Sequence, residues 1–122
     1  MKIKNRQKSG AERRVHPRLD HKAPLKVAVG DYDFATSTQN ISCLGAYCNI
    51  NKYVPPFTKV AIKMDLDTSS KKKSKHYSIA CNGVVVRSED ADNGGFNIAI
   101  FFNDIKGKSK EQIASYIKEL LL

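Results

Sequence analysis

The sequence predicts an all-β domain with a C-terminal helix, arranged as a six-stranded antiparallel β-barrel plus one α-helix. Three observations carry that prediction. Six short segments alternate apolar and polar residues with the period of a strand, and the final residues switch to the period of a helix. No helical segment separates the strands, so the βαβ alternation of a parallel sheet is excluded.

The first strand is marked by Leu25, Val27 and Val29 alternating with Lys26 and Ala28, and Gly30-Asp31 supplies the turn that ends it. Asp33 to Ile41, with Phe34, Thr36 and Thr38, suits a second strand, and Leu44 to Ile50 a third, entered through Gly45. Tyr53-Val54-Pro55-Pro56 then breaks the pattern. In the fourth strand Val60, Ile62, Met64 and Leu66 share one face while Lys59, Lys63, Asp65 and Asp67 share the other, as one face on a core requires. His76 to Arg87 forms the fifth strand. Asp92-Asn93-Gly94-Gly95 makes a hairpin turn, since Asn-Gly tolerates positive φ, and Phe96, Ile98, Ile100 and Phe102 alternate in the returning strand. Ser109 with Gln112 three residues on matches a capping box. Ile113, Tyr116, Ile117, Leu120 and Leu121 then fall on one face of a helix over about 109–121.

A chain of 122 residues, 41% of them hydrophobic, is the size of one domain and supports a real core. The basic opening is followed by no apolar run, and no stretch reaches the length of a membrane span, so neither export nor membrane insertion is expected. Cys43, Cys48 and Cys81 are odd in number and unremarkable in spacing, which points to free thiols in a reducing cytoplasm. With His16, His21 and His76 they form no paired metal-ligand spacing, so no metal site is expected. No Ser/His/acid grouping and no P-loop stands in the chain, and a non-enzymatic binding role follows.

The formal charge of +9 is unevenly placed. Residues 1–26 hold nine Lys/Arg against two acids (9 − 2 = +7), and the rest holds twelve against ten (12 − 10 = +2). Such a concentration marks an anionic partner. Residues 1–22 lack periodicity and contain Pro17, and read as a flexible basic arm ahead of the barrel over 23–122. Lys71 to Lys73 sit in a polar stretch best read as a solvated hairpin loop, with a second phosphate contact as the alternative.

Within the arm, Arg14 and Arg18 are four apart, but Pro17 disfavours a helix and keeps His16 extended. Guanidinium forks bind phosphate oxygens through paired hydrogen bonds and stack on purine faces, so two of them suit a ligand with phosphates and flat bases. The second constellation is Asn40-Ile41-Ser42-Cys43-Leu44-Gly45, where the second strand passes to the third. In extended backbone Asn40 and Ser42 point to one side and can read a base edge, and Gly45 gives a positive φ or room for a ligand against the backbone. The same residue types also make an ordinary turn, and the hexapeptide alone leaves both readings open.

Together these residues resemble the PilZ family, bacterial receptor domains for the second messenger cyclic di-GMP. Arg14-Val15-His16-Pro17-Arg18 is similar to its RxxxR motif, and Asn40 to Gly45 to its D/NxSxxG motif, in the right order with one strand between. Gly83-Val84-Val85-Val86-Arg87 looks like the GxVxR strand of the family, and the strand order agrees along essentially the whole chain. Asn40 stands where Asp is commoner, and Ala99 where the last strand often has Gly. The resemblance implies a split barrel that binds cyclic di-GMP. Arg14 and Arg18 would contact phosphates and guanine faces, Asn40, Ser42 and Gly45 a guanine edge, and Arg13 an additional phosphate. It also implies a downstream protein partner. A basic nucleic-acid-binding barrel is the competing class, but most phenylalanines alternate inward instead of forming an open stacking surface. An interaction module that does not bind the nucleotide is the third reading.

Overall fold

In the computed structural model the described residues are 19–20, 22–68 and 75–121. Among them six strands precede one helix: β1 Pro24–Val29, β2 Tyr32–Ile41, β3 Gly45–Ile50, β4 Lys59–Asp67, β5 His76–Asp90, β6 Phe96–Asp104 and α1 Gly107–Leu121. All neighbouring strands are antiparallel and close a barrel in the order β1-β2-β3-β6-β5-β4. Closure removes every free sheet edge. The β1–β4 wall therefore lies opposite the β3–β6 wall.

The alternation read in the sequence sets the inside. Leu25 and Val27, Val60 to Leu66 in steps of two, and Ile98, Ile100 and Phe102 are all buried. Ile113, Tyr116 and Ile117 are the buried face of α1, which packs on β4 and β5. Burial, with the Asp67 carboxylate adding to it, raises the pKa of the Tyr116 hydroxyl. Lys75 and Glu119 form an ion pair at 3.3 Å beside it.

Several boundaries differ from the sequence reading for physical reasons. The capping box is not used: the Lys106 carbonyl accepts from the Lys110 amide at 3.0 Å, so the helix starts at Gly107 and Ser109 already lies within it. β5 continues to Asp90 because Ser88, Glu89 and Asp90 pair with Ile98, Asn97 and Phe96 of β6. In the hairpin that follows, the positive φ values fall on Gly94 and Gly95 and not on Asn93. Thr68 is fully buried and closes the base of the β4–β5 connection, its amide donating to the Lys75 carbonyl and its hydroxyl accepting from the Lys75 amide. Lys71 to Lys73 lie outside the described residues.

Candidate functional site

The β2–β3 hairpin holds the second constellation. At its tip the Ser42 amide donates to the Gly45 carbonyl at 2.9 Å, and the Leu44 amide donates to the Ser42 hydroxyl at 3.1 Å. Ser42 is buried, so its first task is to shape the turn. Its hydroxyl retains one O–H to donate.

Asn40 reaches the outer face by a break in register. Thr38 pairs with Cys48 and Asn40 with Tyr47, so Gln39 and Asn40 together oppose Tyr47 in a β-bulge. Thr38 and Ile41 are fully buried on either side of these two, while Gln39 is exposed and Asn40 half-buried. A second bulge lies on β5, with β3 and β6 between. Val85 pairs with Ile100 and Arg87 with Ala99, which leaves Val86 as the extra residue. Ala99 also pairs with Tyr47. The registers thus align Asn40, Tyr47, Ala99 and Arg87 in one row across β2, β3, β6 and β5, with a bulge at each end. The Arg87 guanidinium carbon sits 5.9 Å from the centre of the Tyr47 ring, and its Nε lies 3.8 Å from Glu89 Oε1. Alternation of polar and apolar residues gave no signal for Tyr47 or Arg87 as part of this surface. A break in register carries no such pattern.

Gly45 has a packing reason beside the ligand approach that its motif suggests. Its φ is not positive; a Cβ there would collide with the carbonyl oxygen of Ile100 on β6. Gly83 on β5 meets the same segment from the other side, where a Cβ would lie 2.7 Å from Ile100 Cγ2 and 2.9 Å from the Phe101 carbonyl oxygen. Both glycines let neighbouring strands close onto β6.

Leu19, the residue after Arg18, pairs with Ile41: the Leu19 amide donates to the Ile41 carbonyl at 2.9 Å, and the Ile41 amide to the Leu19 carbonyl at 3.0 Å. Arg13, Arg14 and Arg18 themselves lie outside the described residues. On the outer surface of β2, a depression of about 500 Å³ is lined by Lys22, Ser37 and Gln39 among others. A cavity of about 570 Å³ lies across β2, β1, β4 and β5, and none of the described motif residues lines it. Among the described residues no cluster of His, Cys, Asp or Glu is able to hold a metal ion, and no helix is long and apolar enough to cross a membrane.

No curated protein sequence matches the chain significantly. Among solved structures it is similar to the Bacillus subtilis inhibitor of motility MotI/DgrA, with a TM-score of 0.72 at 13% identity, covering 98% of this chain. It spans only 52% of that protein, about half its length. The PilZ domain of CeSA from a cellulose-synthesizing bacterium gives a TM-score of 0.60 at 20% identity, covering 87% of this chain and 99% of that one. The PilZ domain of Escherichia coli YcgR, solved with c-di-GMP, gives 0.61 at 11% identity, covering 89% and 92%. At these identities the likeness is one of fold. The sequence profile of the PilZ domain matches residues 12–119, nearly the whole length, and the chain belongs to the PilZ domain family.

Proposed function

We propose that this domain is a cyclic di-GMP receptor and adaptor, in which Arg14 and Arg18 hold phosphates and guanine faces while Asn40 and Ser42 read a guanine edge. The observation that supports this reading is the pairing of Leu19 with Ile41, because it ties the residue following Arg18 to the strand that carries Asn40. The two bulges add to it. They turn Asn40 and Arg87 outward on either side of Tyr47 and Ala99, a polar row beside which a flat base finds an aromatic ring and a guanidinium. Arg13 is a second-rank phosphate contact. Gly45 contributes by closing β3 onto β6, and so by fixing the turn that presents Ser42.

The role is adaptation without catalysis. The ligand changes the conformation of the arm and thereby the surface offered to a downstream protein partner in the cytoplasm. Isothermal titration of the full chain with cyclic di-GMP tests this. Saturable heat is expected, with Arg18→Ala and Asn40→Ala each weakening binding about tenfold or more and leaving the unfolding midpoint near that of the parent. Absence of both heat and amide chemical-shift change at millimolar ligand overturns the receptor reading. Tighter, steeply salt-dependent binding of an oligonucleotide replaces it with the nucleic-acid reading.

A further inference from the structure

The outer face centred on β1 and β4 carries a feature that barrel stability does not explain. On the outer face, Lys26 of β1 stands directly across from Lys63 of β4. Like charges directly opposite on neighbouring strands destabilise a sheet. Among the described residues neither lysine has a carboxylate within ion-pair distance, and both are exposed. The row continues on both sides with alanine, Ala35 of β2 opposite Lys26 and Ala80 of β5 opposite Lys63.

The next row runs Asp33, Ala28, Ala61 and Asn82 across the same four strands. Alanine is a poor strand former, and larger β-branched side chains would strengthen this sheet. Four alanines on adjoining strands instead leave a trough, and a cavity of about 570 Å³ lies over them with Lys26 and Lys63 in its wall. Its volume is within the range of binding sites, and its mainly apolar lining with few charged groups has their usual make-up.

We infer that this trough is a docking surface for an acidic, aliphatic segment of a partner protein, whose carboxylates relieve the Lys26–Lys63 repulsion while an apolar side chain sits on the alanine floor. Charge complementarity selects the occupant. A small inorganic anion would use the lysines and leave the floor empty. A nucleic acid would leave the alanine floor unused, and the aromatic residue in the lining, Phe34, is half-buried against the core and offers no open stacking face. Because none of the residues lining it belongs to the Asn40–Gly45 turn, the inference stands independently of that turn's role in nucleotide binding.

The test uses the full chain without nucleotide, titrated with a capped peptide of alternating Glu and Leu and followed by amide chemical shifts. Shifts are expected at Ala28, Ala61 and Ala80, with about tenfold weaker binding for Lys26→Glu and for the trough-filling Ala61→Leu. Lys26→Glu is also expected to raise the unfolding temperature, since it replaces a repulsive pair by an attractive one. A purely structural role for the lysine would move the temperature down. Any of three results overturns the proposal: no shifts at millimolar peptide, equal shifts with inorganic phosphate in both the parent and Ala61→Leu, or self-association through this face that Ala61→Leu abolishes.

Discussion

Leu19 and Ile41 face each other in an isolated antiparallel bridge, exchanging both main-chain hydrogen bonds at 2.9 and 3.0 Å. A second tie follows closely in sequence. Ala23 accepts from the Thr38 amide at 2.9 Å, and its own amide donates to the Thr38 hydroxyl at 3.0 Å. The segment leading into β1 is thus fastened to β2 at two points, and the bulge that turns Asn40 outward lies between them. What joins the two halves of the proposed site is main-chain pairing on one strand.

Thr38→Val tests that fastening. Ala23 and Thr38 are both buried, so removing the hydroxyl leaves the Ala23 N–H without this acceptor in a dry setting. A loss of about 1–3 kcal/mol is expected in urea unfolding, with Thr38→Ser recovering most of it. Equal midpoints for Thr38→Val and the parent would show that this hydrogen bond contributes nothing.

The succession of six strands along the chain, most of the inward positions and the terminal helix were legible because each rests on local periodicity. The phenylalanines do not follow it: Phe102 is buried, Phe34 and Phe96 are half-buried, and Phe57 and Phe101 are exposed. Long-range geometry was not legible. The bulges at Gln39/Asn40 and Val86/Arg87 are counts of one extra residue against a partner strand, and Val84-Val85-Val86 reads as an uninterrupted apolar run wherever the break falls. Gly45 was legible as a position needing glycine, but its reason stands across the barrel wall at Ile100. Ser109 and Gln112 have capping-box spacing, yet the helix had already begun at Gly107.

Gly45 and Ser42 are expected to separate on substitution. Gly45→Ala drives a methyl into the Ile100 carbonyl, which is main chain and has little room to yield. A destabilisation of about 2–3 kcal/mol is expected from such overpacking. Ser42→Ala removes one acceptor, that of the Leu44 amide, and is expected to cost about 1 kcal/mol. Thermal unfolding of both variants checks the order, and a Gly45→Ala protein as stable as Ser42→Ala would contradict it.

Phe57 has φ of +73° while the residue is 83% exposed, so the chain holds a bulky residue in the left-handed region with little packing in return. Its amide donates to the Val85 carbonyl at 2.6 Å, which fixes that backbone conformation. Phe57→Gly relieves a penalty of about 1–2 kcal/mol and adds about 0.5–1 kcal/mol of unfolded-state entropy. A net gain of about 0.5–1 kcal/mol is expected, whereas Phe57→Ala gains nothing because alanine meets the same steric limit. Equal stability of the Gly and Ala variants would remove the strain argument.

Cys48 gives the chain a dependence on alkaline pH. Its thiol is fully buried in the barrel, and burial raises its pKa from 9.0 to about 12. The folded state therefore keeps the proton after the unfolded chain has lost it. This contribution is fully present below pH 9.0 and is lost as pH rises towards about 12, with a limiting slope of about 1.4 kcal/mol per pH unit for one thiol. Cys81 follows the same sign, raised to about 11 first by burial and then by the Asp104 carboxylate, and adds to the decline over an overlapping window. The difference between parent and Cys48→Ala isolates the buried thiol, because Cys81 and Tyr116 titrate in both proteins. Urea unfolding at pH 8, 9 and 10 is expected to show the parent losing stability faster than Cys48→Ala above pH 9. Parallel curves would mean that the Cys48 thiol ionises as readily in the folded barrel as in the unfolded chain.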